Sequence, residues 1–336
     1  MSLSKDEYPF YFEIKGRLIM KVIDKINKSK SALFTFELLP PLKGHTIQEI
    51  YDTIDPLIEF NPAYINITYH QQEVIYKNRI DGFLEKKIIR KRPGTVAIAA
   101  AIQNKYKITV VPHMICGGFT KEETEDALID FHFLGINNLL VLRGDPSKGA
   151  RQFIAEKGGH SHSSDLIEQI MNLNKGKYLN EDLIDAMPTD FSVGIAGYPE
   201  KHVEAPNIDI DLEYLKLKVD KGAEYIVTQM FFENQTFYRF VDKCRKIGIH
   251  VPIIPGIKPV STLNDIALLP QTFHIDLPNE LIKEIKKCKT NKEVRQIGVE
   301  WATNQSKELI KSGVPGIHYY TLDQSDNIKK IAQAVF

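Results

Sequence analysis

Apolar and polar positions along this chain switch repeatedly between two periods. Short apolar or alternating runs fit strands, and longer runs with an apolar residue every three or four positions fit helices. The stretch Asn138-Leu-Leu-Val-Leu-Arg-Gly-Asp145-Pro146 sets the pattern. Its four apolar residues run without a polar break, as in a strand buried on both faces, and a cation, a glycine and a carboxylate follow at once. Read this way, strands fall at Leu33–Leu38, Ala63–Tyr69, Thr109–Cys116, Asn138–Arg143, Asp190–Gly197, Glu224–Phe231, Val251–Ile257 and Gly316–Leu322. Helical periodicity covers Thr46–Phe60, Thr95–Lys105, Lys121–Leu134, Leu166–Leu173, Asp211–Gly222, Gln235–Ile247, most of 261–312 and Asn327–Val335. Residues 1–30 read as a polar lead-in with a short helix at Val22–Lys28, and 71–94 as irregular and basic. Eight strands alternating with helices predict one closed parallel (β/α)8 TIM barrel over residues 31–336. An open doubly wound sheet fits less well, because no G-x-G-x-x-G follows the first strand.

Composition narrows the function classes. The chain has 336 residues, with 43 Lys+Arg against 43 Asp+Glu, so net charge gives no reason to expect nucleic acid or a membrane surface as partner. Three cysteines, Cys116, Cys244 and Cys288, form no pairing pattern and argue for a reducing cytoplasm. No apolar run approaches the ~20 residues of a membrane span.

Candidate chemistry collects at the strand ends. Glu37, Thr68, His113, Arg143 with Asp145, Tyr198 with His202, Gln229, and His318 with Thr321 all lie there, and the seventh strand ends at Pro255-Gly256. In a barrel these converge on one mouth. Singly, each has an ordinary structural reading: Glu37 as a cap, His113 as a core histidine, Gln229 as a loop contact. Apolar neighbours around Glu37 would suit a general acid, with Asp145 as a second carboxyl in a different environment. Arg143 and Lys218 offer cations to a phosphate-bearing ligand, and Asp211, Tyr214 and Lys218, at i, i+3 and i+7, are expected to share one helix face. Gln229 can present a donor and an acceptor to a heterocycle. His113 and Cys116 have ligand-like spacing, but three residues apart along a strand they face opposite sides, so no metal is expected. Lys258 is the one lysine placed for a Schiff base, and the Pro-Gly beside it reads as a turn.

Nine stretches resemble the methylenetetrahydrofolate reductase family in order. They are Phe34-Thr-Phe-Glu-Leu-Leu-Pro-Pro41, Asn66-Ile-Thr-Tyr69, Pro112-His-Met-Ile-Cys116, Leu142-Arg-Gly-Asp145, Ala196-Gly-Tyr-Pro-Glu-Lys-His202, Lys218-Val-Asp-Lys-Gly-Ala223, Thr228-Gln-Met-Phe-Phe232, Pro252-Ile-Ile-Pro-Gly-Ile257 and His318-Tyr-Tyr-Thr-Leu322. The resemblance implies a barrel that binds FAD at its mouth and reduces methylenetetrahydrofolate with NAD(P)H, for one-carbon metabolism and methionine supply. It implies that Glu37 is the general acid and that Asp145 lies near flavin and pterin. By the same resemblance Gln229 and Gln324 meet the folate. Flavin positions fall on Thr68, Tyr69, His113, Arg143, Gly144, Asp145, His162, Ser163, Tyr198 and His202. Asp211 and Lys218 fall on the adenosine and pyrophosphate side. The chain departs from the better-known bacterial pattern at His70, at His162-Ser163, at Tyr214, at Leu217 and at Asp323-Gln324. The resemblance also leads us to expect a homo-oligomer without the S-adenosylmethionine-binding domain of eukaryotic members. Its rivals are another flavin-dependent barrel oxidoreductase, a flavin-free lyase or aldolase, and a silent binding subunit.

Overall fold

The computed structural model describes residues 13–14, 17–18, 20–147, 150, 152–321 and 325–336. Eight parallel strands close into a barrel: β1 (Leu33–Leu38), β2 (Tyr64–Ile67), β3 (Thr109–Ile115), β4 (Asn138–Leu142), β5 (Ser192–Gly197), β6 (Tyr225–Met230), β7 (Ile253–Ile257) and β8 (Gly316–Tyr320). Each pairs with its sequence neighbour, and β8 closes on β1 with Ile317 opposite Phe34. The surrounding helices are α1 (Val22–Lys28), α2 (Gln48–Ile54), α3 (Thr95–Tyr106), α4 (Lys121–Phe133), α5 (Ser163–Leu173), α6 (Ile208–Asp220), α7 (Asn234–Lys246), α8 (Asp265–Phe273), α9 (Asn279–Lys287), α10 (Asn291–Lys311) and α11 (Ser325–Val335). The single closed barrel expected from the alternating pattern is therefore the fold.

Strand parity divides the core in two. Phe34, Phe36, Leu38, Ile65, Ile67, Val110, Met114, Val193, Ile195, Ile226 and Ile317 pack outward against the helices. Tyr64, Val111, Leu140, Tyr225, Val227 and Ile254 fill the interior, joined from below by Val22 and Ile26 of α1. The helix of the lead-in thus plugs the N-terminal end of the barrel, and the Val22 amide donates to Asn138 Oδ1 at 2.7 Å. Glycine at 194 is a packing requirement, since a Cβ there would lie 2.3 Å from the Tyr225 ring.

Three local expectations change. The basic stretch before α3 is not irregular: Glu73–Asn78 and Leu84–Ile89 form an antiparallel hairpin, with Gly82 at φ 81° in its turn. Helix α6 starts at Ile208, capped by Asn207 Oδ1 accepting the Ile210 N–H at 2.9 Å, so Asp211 lies inside the helix and is free for other work. Pro255 and Gly256 lie inside β7 and make no turn. The β6–β7 register slips between Val227 and Met230, and in this interrupted ladder the missing proline N–H does little harm. Gly256 donates instead to Thr228 Oγ1 at 2.9 Å.

Candidate functional site

Glu37 sits on the inward face of β1 at the mouth, 7% exposed. Its flanking Phe36 and Leu38 point the other way, into the outer core, so the apolar surroundings inferred from them are not what the carboxyl meets. It meets two imidazoles. Glu37 Oε2 lies 3.7 Å from His113 Nε2 and 3.6 Å from His318 Nε2. Burial pushes the His113 ring down to about 4, against the pull of Glu37. The backbone is pinned as well, with Thr321 Oγ1 donating to the Glu37 carbonyl at 2.5 Å. Beside it, both amide atoms of Asn66 on β2 and the hydroxyl of Thr68 just beyond it are buried with no hydrogen-bond partner among the described residues. A second side chain close to this floor is Lys258, just beyond β7. Burial lowers its amine, while Asp265 and Glu37 pull it back up.

The rim over β4 carries Arg143, Gly144 and Asp145. Gly144 turns the chain at φ 89°, where a Cβ would also press on Ile115 at 3.1 Å. Asp145 is exposed, and its carbonyl accepts the Gln71 amide at 2.8 Å. The two carboxyls thus occupy different environments, as expected: one sealed, one wet. Arg143 is not a free cation. It forks onto Glu204 at 2.5 and 2.8 Å and packs over the Phe153 ring at 5.0 Å. The guanidinium holds the Glu204 carboxyl below its ordinary range.

Across the mouth, the Tyr198 and His202 rings meet edge to face with centroids 4.7 Å apart. Burial pushes the Tyr198 phenol up to about 12 and lowers the His202 ring. Asp211 reaches over from α6 to accept the His202 N–H at 2.9 Å. One turn pair further, Lys218 points back toward β5, with Ala196 O at 3.4 Å, and burial pushes its amine down to about 8. Asp211 and Lys218 share the inward face, whereas Tyr214 lies off that stripe and is exposed.

The remaining candidates are scattered around the rim. Tyr69 packs on Phe119 at 5.1 Å beneath the Arg90 guanidinium, which lies 5.9 Å from its ring. Gln229 is half-buried and turns its oxygen to the Met230 N–H at 2.9 Å. His162 is the exposed residue preceding α5, whose first residue is Ser163, so the helix begins three residues before the expected Leu166. Gln324 lies outside the described residues. Cys116 does face away from His113, packed in the outer core, and His160 is buried against the Gln169 amide at 2.5 Å. Sequence reading missed Glu204, Asn66 and any role for Lys258. A Pro-Glu-Lys-His-Val-Glu string offers no sign that its second glutamate answers Arg143, sixty-one residues away. Among the described residues no helix is long and apolar enough to cross a membrane.

This mouth can hold an anionic ligand through Lys218, present polar atoms to a planar ring from β2 and β3, and deliver a proton from Glu37. Comparison with known proteins bears on which family builds such a mouth. The family model for methylenetetrahydrofolate reductase matches residues 21–335. Methylenetetrahydrofolate reductase (NADH) 1 of Arabidopsis thaliana is 31% identical over 317 residues, 90% of this chain and 49% of that protein. The probable methylenetetrahydrofolate reductase (NADPH) of Caenorhabditis elegans is 28% identical over 329 residues, 97% of this chain and 45% of its own. The 5,10-methylenetetrahydrofolate reductase of Escherichia coli (strain K12) is 28% identical over 293 residues, covering 87% of this chain and 86% of that one. The chain spans about half the length of the eukaryotic relatives it matches. Among solved structures, an uncharacterized protein from Clostridium thermocellum that binds two copies of 5-methyl-5,6,7,8-tetrahydrofolic acid aligns with a TM-score of 0.53 over 93% of this chain and 97% of that one. At 16% identity that likeness shows the fold alone. The family match runs through every barrel strand and every described mouth residue named above, and this chain belongs to the methylenetetrahydrofolate reductase family.

Proposed function

We propose that this protein uses FAD and NAD(P)H to reduce 5,10-methylenetetrahydrofolate to 5-methyltetrahydrofolate, for methionine supply. The observation that carries the reading is Glu37, a nearly sealed carboxyl at the floor of an open mouth. The residues present fit a flavin dinucleotide. Thr68 Oγ1, His113 Nε2 and the Asn66 amide are buried polar atoms in need of partners. Lys218 is a half-buried cation whose one hydrogen-bond partner among the described residues is a distant carbonyl, and a pyrophosphate would answer it.

When bound, FAD supplies the hydride. Lys218 and Arg143 would hold its pyrophosphate, and Asp211 would take the adenosine side. Thr68, Tyr69, His113, Gly144, His162, Ser163 and the Tyr198–His202 pair would line the rest. Gln229 orients the pterin through Nε2, its oxygen being engaged by Met230. By the family resemblance Gln324 is assigned to the folate as well. Glu37 gives the proton on Oε2 to the folate nitrogen as the bridging ring opens, and Asp145 adjusts the charge around the ring. Relatives named for NADH and for NADPH support a nicotinamide donor. The free cysteines Cys116, Cys244 and Cys288 support a reducing, cytoplasmic setting. Sedimentation of the purified protein would read the expected homo-oligomer.

The purified protein should be yellow, release FAD on denaturation, and oxidise NAD(P)H with methylenetetrahydrofolate as acceptor. Colourless protein that takes up no added FAD would overturn the reading and favour a flavin-free lyase.

A further inference from the structure

Three buried titratable side chains meet at the floor of the mouth: Glu37, His113 and His318, at 7%, 5% and 0% exposure. His318 has no part in the reaction as set out above. Its Nε2 faces Glu37 Oε2 at 3.6 Å, beyond the reach of a formed hydrogen bond, and has no hydrogen-bond partner among the described residues. Its other nitrogen is engaged. His318 Nδ1 lies 3.1 Å from Thr35 Oγ1, and that hydroxyl also lies 3.2 Å from the Ile317 carbonyl. A hydroxyl has one proton, and a carbonyl can only accept. When Thr35 donates to Ile317 O, its oxygen accepts the Nδ1–H of His318. The Tyr320 ring holds the imidazole edge-on, at 5.2 Å and 89°, and is itself anchored through its hydroxyl to Thr228 O at 2.6 Å.

With its proton on Nδ1, a neutral His318 turns a bare lone pair toward Glu37. A carboxylate opposite it would leave two buried acceptors facing each other, which is costly. One proton between Oε2 and Nε2 removes the conflict, whichever atom carries it. Catalytic contacts that are long in a ligand-free site commonly tighten when substrate binds. His113 does not compete as a proton holder, because burial keeps its ring neutral near pH 7. Lys258, the cation facing this floor from β7, lies within electrostatic reach of Glu37 and forms no hydrogen bond or ion pair among the described residues.

We propose that His318 is a positioning residue that keeps one proton on the Glu37–His318 pair, with Thr35 fixing its tautomer. This rests on the folate-reducing reading for its consequence. The proton leaves Glu37 Oε2 for the folate nitrogen, and a solvent proton replaces it once the product has left.

Two measurements test it. Nitrogen-15 NMR of histidine-labelled wild-type protein should find Nδ1 of His318 protonated, with the signal assigned from whichever of Thr35→Val and His318→Gln folds. Stopped-flow should find that both variants keep flavin reduction by NAD(P)H within twofold, while reoxidation by methylenetetrahydrofolate slows at least tenfold. A neutral ring protonated only on Nε2 would overturn the proposal. So would a His318→Gln variant with unchanged reoxidation, or one in which both halves slow equally. Failure of the wild-type protein to be reoxidised by folate would sink the proposed function, and the NMR result would still decide the tautomer.

Discussion

Lys218 sets binding against stability, and replacing it separates the two. Burial brings its amine from 10.5 down to about 8. At about 1.4 kcal/mol per tenfold change in proton affinity, the cost of keeping the ammonium charged in the ligand-free fold has a ceiling of about 3 kcal/mol. The side chain is half-buried, so solvent relieves part of that. The sign follows from the direction. Below pH 8 the folded and unfolded chains both carry the charge, and the fold bears the full cost. Between pH 8 and 10.5 the folded amine is neutral while the unfolded one still binds its proton, so the cost drains away as pH rises. Lys218→Met should therefore raise the denaturant stability of flavin-free protein at pH 7 by one to about 3 kcal/mol, and the gain should shrink toward pH 10. The same variant should bind FAD roughly ten- to a hundredfold more weakly, the loss expected from a charge-assisted contact of about 1.5–3 kcal/mol. Titration with FAD and urea melts at two pH values measure both. A variant no more stable than wild type at pH 7, with FAD affinity intact, would mean that the amine lies in solvent and holds nothing.

Other residues give sharper binary outcomes. Glu37→Gln should keep flavin reduction by NAD(P)H near wild type and slow reoxidation by methylenetetrahydrofolate ~100-fold to ~10,000-fold, as read by stopped-flow; equal slowing of both halves would make Glu37 a structural residue. Gly194→Ala drives a methyl to within 2.3 Å of the Tyr225 ring and should lower stability by about 1–3 kcal/mol or more, measured by urea melts. Glu204→Gln breaks an ion pair whose carboxylate is 40% exposed, so stability should move by less than about 1 kcal/mol. The freed Arg143 should then bind FAD as tightly as before or several-fold more tightly, and a tenfold loss on titration would show that the Glu204 carboxylate itself holds the ligand.

Much of the fold could be read from the chain because barrel strands are buried on both faces and betray themselves as apolar runs. Leu139–Leu142 is such a run and ends where Arg143 begins, whereas Leu33–Leu38 alternates, with Thr35 and Glu37 inward, and stops at Pro40-Pro41. The hairpin at 73–89 escaped because neither face enters the core, the better covered one, with Ile75 and Ile89, being only half-buried, although Asp81-Gly82 is a recognised turn pair. The start of α6 was misplaced because three acidic or amide residues, Asn207, Asp209 and Asp211, compete as caps, and only geometry shows that Asn207 accepts the bond. Pro255-Gly256 reads as a turn until the interrupted β6–β7 ladder and the nearby Thr228 carbonyl, 2.2 Å from any Cβ at 256, show why both residues suit a strand interior.

The site divides along the same line, between what a strand carries and what surrounds it. Parity along β1 and β3 was enough to bring Glu37 and His113 to one mouth and to send Cys116 away. It could not say what Glu37 touches, because adjacent residues on a strand share a backbone and not an environment. The groups that decide its chemistry arrive from β3 and β8, from as far as 281 residues along the chain, as the two imidazoles at 3.6 and 3.7 Å show. Arg143 gives the same lesson with the opposite sign. As a cation at a strand end it read as an open phosphate site, yet the fold hands it Glu204. An anionic ligand must therefore displace or share that carboxylate, while Lys218 waits with a single carbonyl for company. On the proposed function the stronger pyrophosphate anchor should therefore be Lys218 and not the more conspicuous arginine, and an FAD titration of Lys218→Met beside Arg143→Met should rank them in that order.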